Sequence, residues 1–142
     1  MSSSPGSRIR RLTVMAIPAV LVCMLAFLLP GCQLGGGSVT AVDESTFDSV
    51  VLASKQPVLV DFSATWCGPC KTMEPVLEEL AADFKGKAMV VKLDVDQSPN
   101  LTKQYGAARI PCFIVFKNGK PVGRAVGVTS KSELAAMLKA AR

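Results

Sequence analysis

Trp66-Cys67-Gly68-Pro69-Cys70 holds the residues of this sequence whose types and spacing best suit chemistry. Two thiols separated by two residues can cycle between a dithiol and a disulfide. They follow an apolar run of strand length and open a segment with helical spacing. A thiol at a helix start meets unpaired backbone N–H groups and the positive end of the helix dipole, both of which favour the thiolate. The second thiol, one turn further on, is close enough to attack a mixed disulfide formed on the first. Two blander readings compete: half of a zinc site, and a buried inert pair. Structural zinc takes four ligands, and the domain offers no second Cys pair and no His. The absence of His from all 142 residues also removes Ser-His-Asp and Cys-His hydrolases. Five Cys and no His point to sulfur chemistry.

The elements that must hold this pair can be read from periodicity. Ser45-Thr46-Phe47-Asp48 has the pattern of a capping box before a helix carrying Phe47, Val50, Val51 and Leu52. Val58 to Phe62 is a β-branched, nearly continuous apolar run, suited to a central strand covered on both faces. Asp61 is its anomaly, a carboxylate where burial is expected. From Cys67 to Phe84 the residues Met73, Val76, Leu77, Leu80, Ala81 and Phe84 fall on one helical face, with Pro75 inside as a kink. Ala88 to Val95 is a second buried strand, and Pro99 to Tyr105 a short helix stopped by Gly106. Cys112 to Phe116 is a third strand, joined through Asn118-Gly119, a hairpin signal, to a return strand from Val122 to Val126. Ser130 to Glu133 caps a last helix with Leu134, Met137 and Leu138 inward. Parallel strands first and a hairpin last give an α/β fold, a mixed central β-sheet flanked by helices on both faces.

The N-terminus reads as a separate unit. Residues 1–11 are polar and basic, and an apolar run of 18 residues follows from Leu12 to Leu29. Basic flank, apolar run and small residues form the layout of a secretory signal. The competing reading is an uncleaved anchor, since 18 residues is near the lower limit for crossing about 30 Å of hydrocarbon. Leu29-Pro30-Gly31-Cys32 resembles the cleavage and lipidation box of bacterial lipoproteins, with Pro30 a departure from it. That resemblance implies that Cys32 becomes the acylated first residue. Residues 33–38 are a Gly-rich tether with a reach of roughly 15 Å counted from Cys32. The expected organisation is a signal peptide or anchor over 1–31, a lipidated Cys and tether over 32–38, and one domain over 39–142. Three of the sixteen basic residues lie within 1–31, so the formal charge falls from +5 to +2, 13 bases against 11 acids. With no basic run, a nucleic-acid partner is not expected.

Val60-Asp61-Phe62-Ser63-Ala64-Thr65-Trp66-Cys67-Gly68-Pro69-Cys70-Lys71 resembles the active-site stretch of the thioredoxin family. The similarity continues through Pro75, Lys92-Leu93-Asp94-Val95-Asp96, Tyr105-Gly106, Ile110-Pro111, Phe116-Lys117-Asn118-Gly119 and Gly127. It implies the thioredoxin fold over Val39 to Arg142, with Cys67 as nucleophile and Cys70 as resolving thiol. It further implies that Asp61 is the buried carboxylate that takes the resolving thiol's proton, that Lys92 approaches it, and that Pro111 is a cis-proline facing the disulfide. Trp66, Gly68, Pro69, Ile110 and Pro111 would form the substrate-binding surface. Ser63, where many relatives carry an aromatic, and Cys112, where Thr is common, depart from the pattern. Cys112 is expected to pack as a small hydrophobe.

The resemblance implies a protein-disulfide reductase that works as a monomer, uses only its own dithiol and takes protein disulfides as substrates. The leader adds an expected place, the extracytoplasmic face of a bacterial membrane. There a membrane-linked thiol donor would have to re-reduce the pair. Gly-Pro between the cysteines resembles reducing members of the superfamily, whereas oxidising members usually carry a His there. The alternatives are a net oxidase or isomerase in an oxidising envelope, and a binding module whose redox chemistry is idle.

Overall fold

The computed structural model describes residues 37–142. The leader, the lipidation box with Cys32, and Cys23 lie outside the described residues. None of the described helices is long and apolar enough to cross a membrane.

Five strands form one sheet in the order β1-β3-β2-β4-β5. They are β1 (Thr40–Val42), β2 (Val58–Ser63), β3 (Met89–Asp94), β4 (Cys112–Lys117) and β5 (Lys120–Val126). β1, β3 and β2 run parallel, while β4 pairs antiparallel with β2 and with β5. The helices are α1 (Asp48–Leu52, wound as a π-helix), α2 (Gly68–Asp83), α3 (Pro99–Gln104) and α4 (Lys131–Ala140). β1 is too short to be signalled by periodicity; its pairing with Thr40 opposite Val91 defines it.

Alternation along the strands sorts the core into two layers. Val58, Val60 and Phe62 of β2 join Val91, Leu93, Cys112, Ile114 and Phe116 on one face, against Phe47, Val51 and Leu101. Leu59 of β2 joins Val90, Phe113 and Val115 on the other, against Met73, Leu77 and Leu80 of α2 and Leu134 and Leu138 of α4. The expected helices on both faces are present. All six β2 residues are buried, Asp61 and Ser63 included, as a central strand requires.

The first helix departs from expectation in its start. Asp43, two residues before Ser45, holds the chain: its Oδ1 accepts from the backbone N–H groups of Ser45 and Thr46 and from both hydroxyls. Those hydrogen bonds hold the Asp43 carboxyl at about 2, below the ordinary 3.8. The return strand begins at Lys120, two residues before the expected Val122, while the last helix cap and the hairpin turn hold. Ser130 Oγ accepts from the Glu133 N–H, and α2 continues through Pro75. Asn118 and Gly119 have φ of 50° and 75°, as the tight turn between Lys117 and Lys120 demands.

Candidate active site

β2 delivers the site. After Ser63 the chain makes a short turn in which the Cys67 N–H donates to the Ala64 carbonyl, and α2 begins at Gly68. Cys67 is the N-cap, with extended backbone, and its sulfur accepts the Cys70 N–H at 3.2 Å. One backbone donor at the start of α2 thus points at this sulfur, the arrangement that stabilises a thiolate after reduction. Cys67 and Cys70 are joined here, S–S 2.12 Å, with Cα atoms 5.3 Å apart. Pro69 lies in the first turn of α2, where its missing N–H would have no helical partner. A Cβ on Gly68 would meet no atom within 4 Å, so the backbone beside the disulfide is open to an approaching chain.

The disulfide packs with Ala64, Val95 and Ile110. The Ile110–Pro111 peptide bond is cis, and the Pro111 carbonyl accepts the Gly127 N–H at 2.8 Å. Trp66 is 68% exposed, not a core aromatic. Its indole N–H donates to Asp96 Oδ2 at 2.7 Å. Trp66, Val95, Asp96, Thr102 and Ile110 line part of a groove of about 550 Å³ beside the disulfide.

Asp61 leaves the sheet on the face of Leu59, the α2 side, and is 1% exposed. Neither of its carboxylate oxygens has a hydrogen-bond partner, and the buried Ser63 hydroxyl has none either. Burial therefore pushes the Asp61 carboxyl up to about 7 from the ordinary 3.8, with the Lys92 charge opposing. Lys92 is the register partner of Asp61 on β3, but its Nζ donates to Glu74 Oε1. The expected approach of Lys92 to Asp61 is thus through the field of its charge and not through a hydrogen bond. Glu74 went unnoticed in the sequence. The signal was available, since a carboxylate four residues after Cys70 sits one helical turn along.

Cys112 is fully buried on β4 among the Phe47 and Phe62 layer, the face opposite Asp61. Burial pushes its thiol up, away from reactivity. Among the described residues no group of three or more His, Cys, Asp or Glu could hold a metal.

The thioredoxin family model matches residues 38–140 of this chain. The chain belongs to the thioredoxin family. Thioredoxin of Staphylococcus aureus is 52% identical over 101 residues, covering 71% of this chain and 95% of that protein. A thioredoxin variant from Halobacterium salinarum, known as a solved structure, superposes with a TM-score of 0.70 at 32% identity. The match covers 75% of this chain and 93% of that one. The protein is a thioredoxin-family disulfide oxidoreductase acting on protein disulfides, with Cys67 and Cys70 at bonding distance.

Proposed function

We propose that this thioredoxin-family protein works as a protein-disulfide reductase held at the extracytoplasmic face of a bacterial membrane. The Cys67 sulfur carries the reading, because it caps α2, accepts a backbone N–H, and adjoins the bare Gly68 backbone. As thiolate, Cys67 attacks one sulfur of a substrate disulfide. The substrate S–S bond breaks, a mixed disulfide forms on Cys67, and one substrate thiolate leaves. Cys70 gives its proton to Asp61 and attacks the Cys67 sulfur. The Cys67–Cys70 bond forms, the second substrate thiol is released, and two electrons have passed to the substrate. An acid near 7 is suited to accept that proton at neutral pH and return it to solvent. Lys92 modulates Asp61 electrostatically, and Trp66, Gly68, Pro69, Ile110 and Pro111 form the surface on which the substrate chain lies. Ile110 packs against the disulfide, which supports that surface.

Insulin reduction by the full chain tests the chemistry. Cys67→Ser should abolish turnover, and Cys70→Ser should strand substrates on Cys67 as mixed disulfides. Equal rates for wild type and Cys67→Ser would end the redox reading. Equilibration against glutathione at set potentials distinguishes a reductant from an oxidant.

The membrane assignment rests on the basic flank, the apolar run from Leu12 to Leu29, and Cys32 after Gly31. Cys32 would carry the lipid, and a thiol donor in the same membrane would restore the dithiol. Intact mass of protein extracted from membranes decides it. A chain beginning at an acylated Cys32 supports lipidation, the full-length mass supports an anchor, and recovery from the soluble fraction alone overturns both.

A further inference from the structure

Lys92 faces two carboxylates and hydrogen-bonds only one. It leaves the same face of the sheet as Asp61, yet its Nζ lies 2.5 Å from Glu74 Oε1 while both Asp61 oxygens go without a partner. The Lys92 and Glu74 side chains are 36% and 50% exposed, whereas Asp61 is buried. The pair stands at an otherwise largely apolar groove of about 320 Å³, with Val39, Ala41 and Leu77 in its walls. The cation is therefore held on the solvent side, away from the buried acid.

We propose that Glu74 is a positioning residue for the proton-transfer step. By holding the Lys92 ammonium at the groove, it keeps that cation off the Asp61 carboxylate and sets how readily Asp61 takes the Cys70 proton. This rests on the reading of Asp61 as that proton's acceptor. The physical basis is the strength of charge interactions in a poorly screened interior. An ammonium moved into contact with a buried carboxylate would favour its ionised form strongly. Glu74 opposes this chiefly by its grip on Nζ, its own negative charge being the smaller influence on Asp61.

The other charges near the pair are engaged elsewhere. Glu78, also on α2 and at the groove, accepts the Val39 N–H through Oε2. Asp94, two residues on from Lys92 in β3, accepts the Asp96 N–H. From β4 the titratable neighbour is Cys112, a buried neutral thiol on the far face. Lys92 and Glu74 are the charged groups that bear on Asp61, with opposite signs.

The test follows the carboxyl carbon of Asp61 by NMR against pH in the oxidised full chain. It compares wild type, Glu74→Gln, Lys92→Met and the double variant. Glu74→Gln should lower the Asp61 midpoint by about half a pH unit, and Lys92→Met should raise it. In the Lys92→Met background the effect of Glu74→Gln should fall to less than half. An unchanged midpoint in Glu74→Gln with a native spectrum would overturn the proposal. So would a lowering that keeps more than half its size without Lys92, because Glu74 would then act on Asp61 directly. Insulin reduction by Asp61→Asn reports separately on the proton-acceptor reading, so the two can fail independently.

Discussion

The Trp66 indole N–H and the Asp96 carboxylate, 30 residues apart in sequence, meet at 2.7 Å and fix an exposed ring over the groove beside the disulfide. With the residue 68% exposed, packing holds the ring weakly and this bond orients it. Asp96→Ala should free the ring, raise KM for a protein disulfide by about fivefold, the equivalent of about 1 kcal/mol, and leave kcat nearly unchanged. Trp66 is the only Trp in the chain, so its fluorescence anisotropy should fall in the same variant. Unchanged anisotropy together with unchanged KM would refute the role.

Asp61 couples the site to stability. Its folded value of about 7 lies above the unfolded 3.8, so between those limits the folded state holds the proton longer than the unfolded chain. The free energy of unfolding therefore falls as pH rises from about 4 to about 7, and the penalty is complete above. Asp61→Asn escapes it. Urea unfolding should find the variant about 2–4 kcal/mol more stable than wild type at pH near 8, and the two nearly equal below about pH 4.

Cys112 should be chemically silent. It is fully buried and its thiol is pushed up by that burial. In reduced protein, iodoacetamide should label Cys67 within the time that leaves Cys112 unlabelled, as peptide mapping would reveal. Denaturant should expose Cys112 at once. Labelling of Cys112 in the native state at the rate of Cys67 would contradict this.

Phe47 ties α1 to the sheet through its rings' contacts. Its ring stands 5.5 Å from Tyr105 and 5.6 Å from Phe116, and it is fully buried. Phe47→Ala should cost about 3–5 kcal/mol in denaturant unfolding. A cost below about 1 kcal/mol would mean that this layer repacks freely.

Much of the molecule was legible locally. The apolar run at Val58 to Phe62 announced a central strand, the spacing from Met73 to Phe84 announced α2, and Asn118-Gly119 announced its hairpin. The Cys67–Cys70 spacing at a helix start, with no His and no second Cys pair to complete a zinc site, pointed to dithiol chemistry. These features depend on neighbours a few residues away, through backbone torsions and the periods of strand and helix, and a sequence displays them directly. The start of α1 was misplaced because Asp43 Oδ1, with four hydrogen bonds from Ser45 and Thr46, holds those residues in a preceding turn, and α1 begins at Asp48 after Phe47 with no side-chain cap.

Tertiary structure decided what pairs across distance. β1 exists because Val91 and its neighbours offer an open edge to three residues with no pattern of their own. Lys92 could have met Asp61, its partner in register, and instead met Glu74, contributed by the helix laid over that face. Cys112, next in sequence to Pro111, is turned by strand alternation into the layer opposite Asp61. Each of these outcomes depends on which surface closes over which. The chain's own order states the residues available, but only the closed sheet and its helices determine which charges are left in water and which are taken out of it.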